Sequence, residues 1–197
     1  MKKIVVMASG EGSNFSAIVD SGIIVDCVIT DNKNANVIER AKNVNIPVTI
    51  VDKDVEEYHQ PSGRINNVGG RAMSSVMFDN KILKVIPEDT DLIVLAGYCR
   101  ILSSHFCEKW DHKIINVHPS LLPAFSGTIH AIKEAWEYGC KVFGVTVHWV
   151  IPKIDAGPII DQRAIHKLDG DTLKDITQKI RKVEHYIYPA TIKELIK

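Results

Sequence analysis

The sequence predicts an α/β fold, a doubly wound and mostly parallel sheet flanked by helices, and three observations carry that prediction. Short unbroken apolar runs recur at 3–8, 25–30, 46–51, 91–97 and 113–117. Such runs are too short for helices and too uniformly apolar for strands with one wet face, so they read as strands buried on both sides. Helical patterns lie between them at 15–19, 36–43 and 71–86, the alternation that builds parallel βαβ units. Finally, 197 residues with 45% hydrophobic side chains suit one compact domain with ample core.

Composition also excludes classes of function. The 24 basic and 24 acidic side chains balance to zero, which argues against a nucleic-acid binder, normally marked by a basic excess. No apolar run approaches about 18 residues, the length of a membrane span. Only five apolar residues separate Met1-Lys2-Lys3 from Ser9-Gly10, too few for a secretory signal. Cys27, Cys99, Cys107 and Cys140 show no C-x-x-C pairing, so reduced thiols of a cytoplasmic protein are expected. The eight histidines include no metal-binding spacing, and no metal is expected.

Along the chain, the first strand ends in Ser9-Gly10-Glu11-Gly12-Ser13-Asn14 and a helix follows from Phe15. Strand, Gly-rich turn and helix point backbone N–H groups at an anion. Ser13 or Asn14 can cap the helix or donate to phosphate oxygens, and Glu11 must turn its carboxylate away. Phe15 stands where a dinucleotide fingerprint places its third glycine, and no P-loop lysine follows, so a monophosphate is favoured over NAD or ATP. An ordinary strand–helix turn is the plainer alternative. Residues 52–70 lose periodicity and read as a surface loop. The strand at 91–97 leads into Tyr98-Cys99-Arg100-Ile101-Leu102, beyond the carboxyl end of a strand, where ligands of open α/β sheets bind. Arg100 is there a candidate for a carboxylate or phosphate, or a surface arginine.

Ile114-Ile115-Asn116-Val117-His118 reads as a buried strand that breaks at Pro119-Ser120-Leu121-Leu122-Pro123. Residues i and i+2 of an extended segment point to one side. Asn116 and His118 therefore aim an amide and an imidazole at one spot, a plausible oxyanion site with an adjacent acid or base. A polar strand end is the bland alternative. His130 opens a helix of about 129–138. Val142 to Val150 alternates, with Thr146 and His148 on one face and Val145 and Val147 on the other. After the loop at 151–158 come a strand at 159–165 and a helix from Thr172 with a break near Pro189.

Taken together, Ser9-Gly10-x-Gly12-Ser13-Asn14, Ala96-Gly97-Tyr98-x-Arg100-Ile101-Leu102, Asn116-x-His118-Pro119-Ser120-Leu121-Leu122-Pro123 and Asp155-x-Gly157-Pro158 resemble the folate-dependent formyltransferases. The resemblance runs from residue 2 to about 190, with the motifs in the family's order. It implies the formyltransferase fold with a Rossmann-like N-terminal half, as one domain: 1–102 carries phosphate binding, 103–197 catalysis and folate binding. It implies Asn116, His118 and Asp155 as the catalytic trio. Gly10, Gly12, Ser13 and Asn14 become the phosphate loop of a ribonucleotide substrate, and Glu184 the ligand of its ribose hydroxyls. Tyr98, Cys99, Arg100, Ile101 and Leu102, with Ile151 and Ile154, resemble the folate pocket.

Within the family, the Gly12-Ser13-Asn14 loop and the chain length point to one reaction. A formyl group passes from 10-formyl-tetrahydrofolate to the amine of glycinamide ribonucleotide, in the purine synthesis of the cytoplasm. The partners so implied are small molecules, with no nucleic acid, no membrane and no metal, and a monomer or homodimer. In that scheme Asn116 and a charged His118 donate to the developing oxyanion, and Asp155 favours the charged imidazole. A formyl-tetrahydrofolate hydrolase, a formyltransferase for another amine and a non-catalytic folate- or nucleotide-binding protein are the alternatives. The chain departs from the family pattern at Ser126-Gly127-Thr128-Ile129-His130, with one residue inserted, and at Ile151-Pro152-Lys153, where acidic residues are usual. Residues 55–75 match poorly, leaving Arg64 and Arg71 as candidates for an arginine usual there, and His130 and His148 as possible site residues.

Overall fold

The computed structural model describes residues 2–52, 67–68, 71–73 and 76–197, with side chains over 2–52 and 76–197. Its main sheet has seven strands in the order β10-β9-β8-β6-β1-β2-β3. The parallel part consists of β1 (Ile4–Met7), β2 (Cys27–Thr30), β3 (Val48–Ile50), β6 (Leu92–Leu95) and β8 (Ile114–His118). Two long strands, β9 (Val142–Trp149) and β10 (Ile159–His166), run antiparallel at one edge. A second sheet joins β4 (Asn67–Val68), β5 (Arg71–Met73) and β7 (Arg100–Ile101).

Both faces of the central strands are covered, which explains their unbroken apolar runs. Ile4, Val6, Leu92, Val94, Ile115 and Val117 pack with Phe15, Ile18, Ile180 and Tyr188 on one face. Val5, Met7, Ile93, Leu95 and Ile114 pack with Phe78, Ile82 and Phe106 on the other. The first face is covered by α1 (Ser13–Asp20), α2 (Val37–Asn43), α5 (Ala131–Glu137) and α6 (Leu173–Leu195), the second by α3 (Val76–Leu83) and α4 (Ser104–Lys109).

From β1 the chain moves outward through β2 and β3, then returns to β6 on the other side of β1. The carboxyl ends of β1 and β6 therefore flank a topological switch point, where such sheets open a ligand crevice. Two contacts hold that crevice in shape, Ser9 N–H donating to Gly97 O at 3.1 Å and Cys99 N–H to Ser9 Oγ at 2.9 Å.

Three expectations are corrected. The helix predicted from Arg71 begins at Val76, because residues 71–73 pair with Arg100–Ile101 as β5. The predicted loop at 52–70 contains β4, and its residues 53–66 and 69–70 lie outside the described residues. The C-terminal helix runs through Pro189 without a break. Proline removes one donor and crowds the preceding turn, but Ile187, Tyr188 and Ile192 on the same segment are fully buried. The Tyr188 hydroxyl also lies 3.0 and 3.1 Å from the carbonyls of Leu95 and Ile115, pinning the helix to the sheet.

Candidate active site

The residues of the expected phosphate loop lead into α1, which begins at Ser13 rather than Phe15 and has a different cap. Gly12, not Ser13 or Asn14, is the N-cap; it sits at φ 73 and no side chain caps the helix. The first turn begins with Ser16 N–H on Gly12 O at 3.0 Å. Among the described residues, the N–H groups of Ser13, Asn14 and Phe15 meet no acceptor. Such orphaned donors, at the positive end of a helix, form an anion site. Glu11 turns away from it, its Oε1 accepting from Asn36 Nδ2 at 2.8 Å. Gly10 and Ser13 are half-buried at the crevice. Asn14 donates to Glu184 on α6, while its Oδ1 is buried without a partner. Burial raises the Glu184 carboxyl to about 7, against the opposing pull of Arg181 and of the Asn14 hydrogen bond.

Asp155 is the centre of the second cluster. Its Oδ2 accepts from Gly127 N–H at 2.8 Å and lies 3.5 Å from His118 Nδ1, and its Oδ1 lies 3.9 Å from His148 Nε2. All three side chains are at most 2% exposed. His148 Nδ1 is 2.9 Å from Trp149 O, an acceptor, so it carries the proton and Nε2 accepts from Asn116 Nδ2 at 3.2 Å. The second amide hydrogen of Asn116 remains for a ligand. His118 Nε2 is likewise fixed as a donor by Phe125 O at 2.9 Å.

Asn116 and His118 are two residues apart on β8, and both reach the Asp155 cluster, Asn116 through His148 and His118 directly. Asn116, His148 and Asp155 line the cleft, and the fully buried His118 lies against the Asp155 carboxylate. His118 is thus held between Phe125 O, 2.9 Å from its Nε2, and Asp155 Oδ2, 3.5 Å from its Nδ1.

The cleft is walled by Leu95, Tyr98, Arg100, Ile101, Leu102, Cys107 and Val150 and closed by the loop of Ile151, Pro152, Ile154 and Asp155. An apolar slot with a polar cluster at one end suits a flat heterocycle held by its faces and reacted at its rim. Burial pushes the Cys107 thiol up to about 11 and the Tyr98 phenol well above its ordinary value, so both walls are neutral. Cys99 is exposed and is not among the cleft walls. Arg100 also lines the cleft. Its side chain is 7% exposed, its Nε is 3.2 Å from Asp31 Oδ2, and its guanidinium stacks 3.8 Å from the Phe78 ring. It meets a carboxylate, but the protein's own.

His130 lies at the exposed N-cap of α5, where Thr128 Oγ1 accepts from its N–H. It makes no described contact with the trio. Arg64 lies outside the described residues, and Arg71 is described only as backbone of β5. Sequence reasoning missed three cleft walls, Leu95, Cys107 and Val150. It also missed the brace of the 118–125 loop. Thr146 Oγ1 donates to Ser120 O at 2.7 Å and accepts from Leu122 N–H at 3.0 Å, and Gln162 Nε2 donates to Leu122 O at 3.1 Å. The alternation of β9 held that signal, since it put Thr146 on the face of His148.

Among the described residues no three His, Cys, Asp or Glu side chains group to hold a metal ion, and no helix is long and apolar enough to cross a membrane. The four cysteines are unpaired with one another. Comparison with known proteins agrees with the architecture throughout its length. The chain is 39% identical to phosphoribosylglycinamide formyltransferase of Bacillus subtilis, covering 100% of this chain and 95% of that one. It is 34% identical to the human trifunctional purine biosynthetic protein adenosine-3, over 96% of this chain and 18% of the human one. The crystal structure of phosphoribosylglycinamide formyltransferase from Streptococcus pneumoniae superposes with a TM-score of 0.85 at 32% identity, covering 100% of both chains. That of the Bacillus halodurans enzyme gives 0.83 at 36%, covering 100% of this chain and 96% of that one. The family model for formyl transferases matches residues 2–192, and the chain belongs to the formyl transferase family.

Proposed function

We propose that this protein transfers the formyl group of 10-formyl-tetrahydrofolate to the primary amine of glycinamide ribonucleotide, a step of purine synthesis, in the cytoplasm. The observation that carries the reading is the adjacency of two sites. The uncapped N-terminus of α1 lies beside the shoulder Gly97–Cys99, which continues into an apolar cleft ending at Asn116, His148 and Asp155. A phosphate-bearing amine and a flat formyl donor meet there without either having to cross the other. Residues 1–102 bind the phosphate, and 103–197 supply the chemistry and one wall of the folate slot.

The amine attacks the formyl carbon and the formyl oxygen gains negative charge. The Asn116 amide hydrogen not given to His148 donates to that oxygen. Asp155 accepts the amine's proton, directly or through water, for return to the leaving folate nitrogen. His118, fixed by Phe125 O, keeps its Nδ1 toward that carboxylate and steadies the proton while it is held there. Glu184 accepts from the ribose hydroxyls. Much of the acceleration is orientation, because both substrates are anchored at distance from the reacting atoms. The test is an assay of deformylated folate with and without glycinamide ribonucleotide. Release that depends on the ribonucleotide is expected; equal release in water alone would make the protein a hydrolase.

A further inference from the structure

We propose that α2 sets the anion-binding geometry of the Gly10–Ser13 loop, with Arg40 as its principal positioning residue. The inference rests on the reading above, that this loop takes the ribonucleotide phosphate. Three contacts join α2 to the loop's outer side. Val37 N–H donates to Gly10 O at 3.1 Å. Arg40 Nε donates to Glu11 O at 2.6 Å, and its Nη1 to Ser16 Oγ at 3.2 Å, so one guanidinium spans the loop and the first turn of α1. Gly12 lies so close that a Cβ on it would sit 2.8 Å from Val37 Cβ.

A trans peptide unit points its C=O and the next N–H in opposite directions. With the carbonyls of Gly10 and Glu11 both held toward α2, the N–H groups of Glu11 and Gly12 turn away from it. Neither has an acceptor among the described residues. Together with the uncapped N–H groups of Ser13, Asn14 and Phe15 they form a concave run of donors, the kind of backbone nest that binds anions. The same helix removes the loop's one carboxylate, since Asn36 Nδ2 holds Glu11 Oε1 at 2.8 Å. Arg40 therefore acts through peptide orientation and touches no phosphate itself.

Calorimetric titration of glycinamide ribonucleotide and of tetrahydrofolate, paired with steady-state kinetics, tests this. Arg40→Ala should raise the Kd and KM for the ribonucleotide at least fivefold, with kcat at saturation and tetrahydrofolate affinity changed less than twofold. Arg40→Lys keeps the charge but loses the two-pronged donor, and should recover less than half of the loss. A ribonucleotide Kd within twofold of wild type, equal weakening of both ligands, or full recovery by lysine would each overturn the proposal. Asn36→Ala gives an independent route: it should weaken ribonucleotide binding, and Glu11→Gln in that background should restore it; no weakening, or no restoration, counts against the proposal. Wild-type protein that binds tetrahydrofolate but no ribonucleotide removes the functional reading and the brace together. Unaltered binding by Arg40→Ala removes the brace alone.

Discussion

Asp155 occupies a left-handed backbone conformation, φ 48, which aspartate and asparagine tolerate far better than most side chains. Asparagine at this position keeps that backbone, and its amide oxygen can still accept from Gly127 N–H. What it loses is the charge between His118 and His148. Asp155→Asn should therefore fold and bind both ligands nearly normally, with kcat lowered at least about a hundredfold, the lower range of acid–base contributions. Stopped-flow single turnovers alongside thermal melts check this; retention of most of kcat would reduce Asp155 to shaping the loop. The Asn116 amide is held by His148 in the same way that the carboxylate is held by Gly127. His148→Ala leaves that amide without its acceptor and should cost on the order of 1–3 kcal/mol in kcat/KM, the price of a buried hydrogen bond left unmade. Combined with Asn116→Ala it should cost much less than the product of the two, because residues acting as a unit are not additive. A fully additive double variant would separate them.

Elements differ in how much of their role the sequence shows. The central strands β1, β6 and β8 were legible because both their faces are covered, and so each appears as an unbroken apolar run with no competing period. Strand β9 was legible for the opposite reason. Phe143, Val145 and Val147 join the core under α6, while Thr146 and His148 face the loop and the site. Position alone could not reveal what fixes the His118 ring, since that depends on Phe125 O, seven residues away through a loop with no period. Nor could it show that Arg100 spends its charge on Asp31, a contact 69 residues apart. The loop carrying Asp155 illustrates how an element without secondary structure is still fixed. A Cβ on Gly157 would lie 1.8 Å from the carbonyl oxygen of Trp149, which also holds His148 Nδ1. Gly157→Ala must push that loop away from β9, and overpacking of this kind costs about 1–3 kcal/mol. Lower denaturant resistance with weakened tetrahydrofolate binding and intact ribonucleotide binding is expected; unchanged folate affinity would mean that the loop tolerates displacement.

At the scale of the whole molecule, Glu184, the proposed ribose ligand, would couple ribonucleotide binding to the stability of the fold. It lies on α6, which packs across the sheet, and it takes a hydrogen bond from Asn14 on α1. Burial raises its carboxyl from the ordinary 4.5 to about 7 in the folded protein. Between these pH values the folded state holds a proton that the unfolded state has lost. This group's contribution to stability therefore falls as pH rises from about 4.5 to about 7, and the loss is complete above that. Glu184→Gln removes the titration and should melt higher than wild type at pH 8, with little difference near pH 4.5. His185, kept below its ordinary value by burial and by Arg181, is present in both proteins and cancels in the comparison. The same substitution should weaken ribonucleotide binding, because an ionised carboxylate accepts from two ribose hydroxyls more strongly than a neutral amide does. Wild-type affinity should climb as pH rises through about 7, beyond the increase shared with Glu184→Gln from ionisation of the ligand phosphate. Calorimetry from pH 5.5 to 8.5 on both proteins separates the two. A variant no more stable at pH 8, yet binding as tightly as wild type, would leave Glu184 a packing residue of α6. The opposite pair of shifts would mean that the fold carries an unfavourable buried carboxylate for the sake of the sugar it holds.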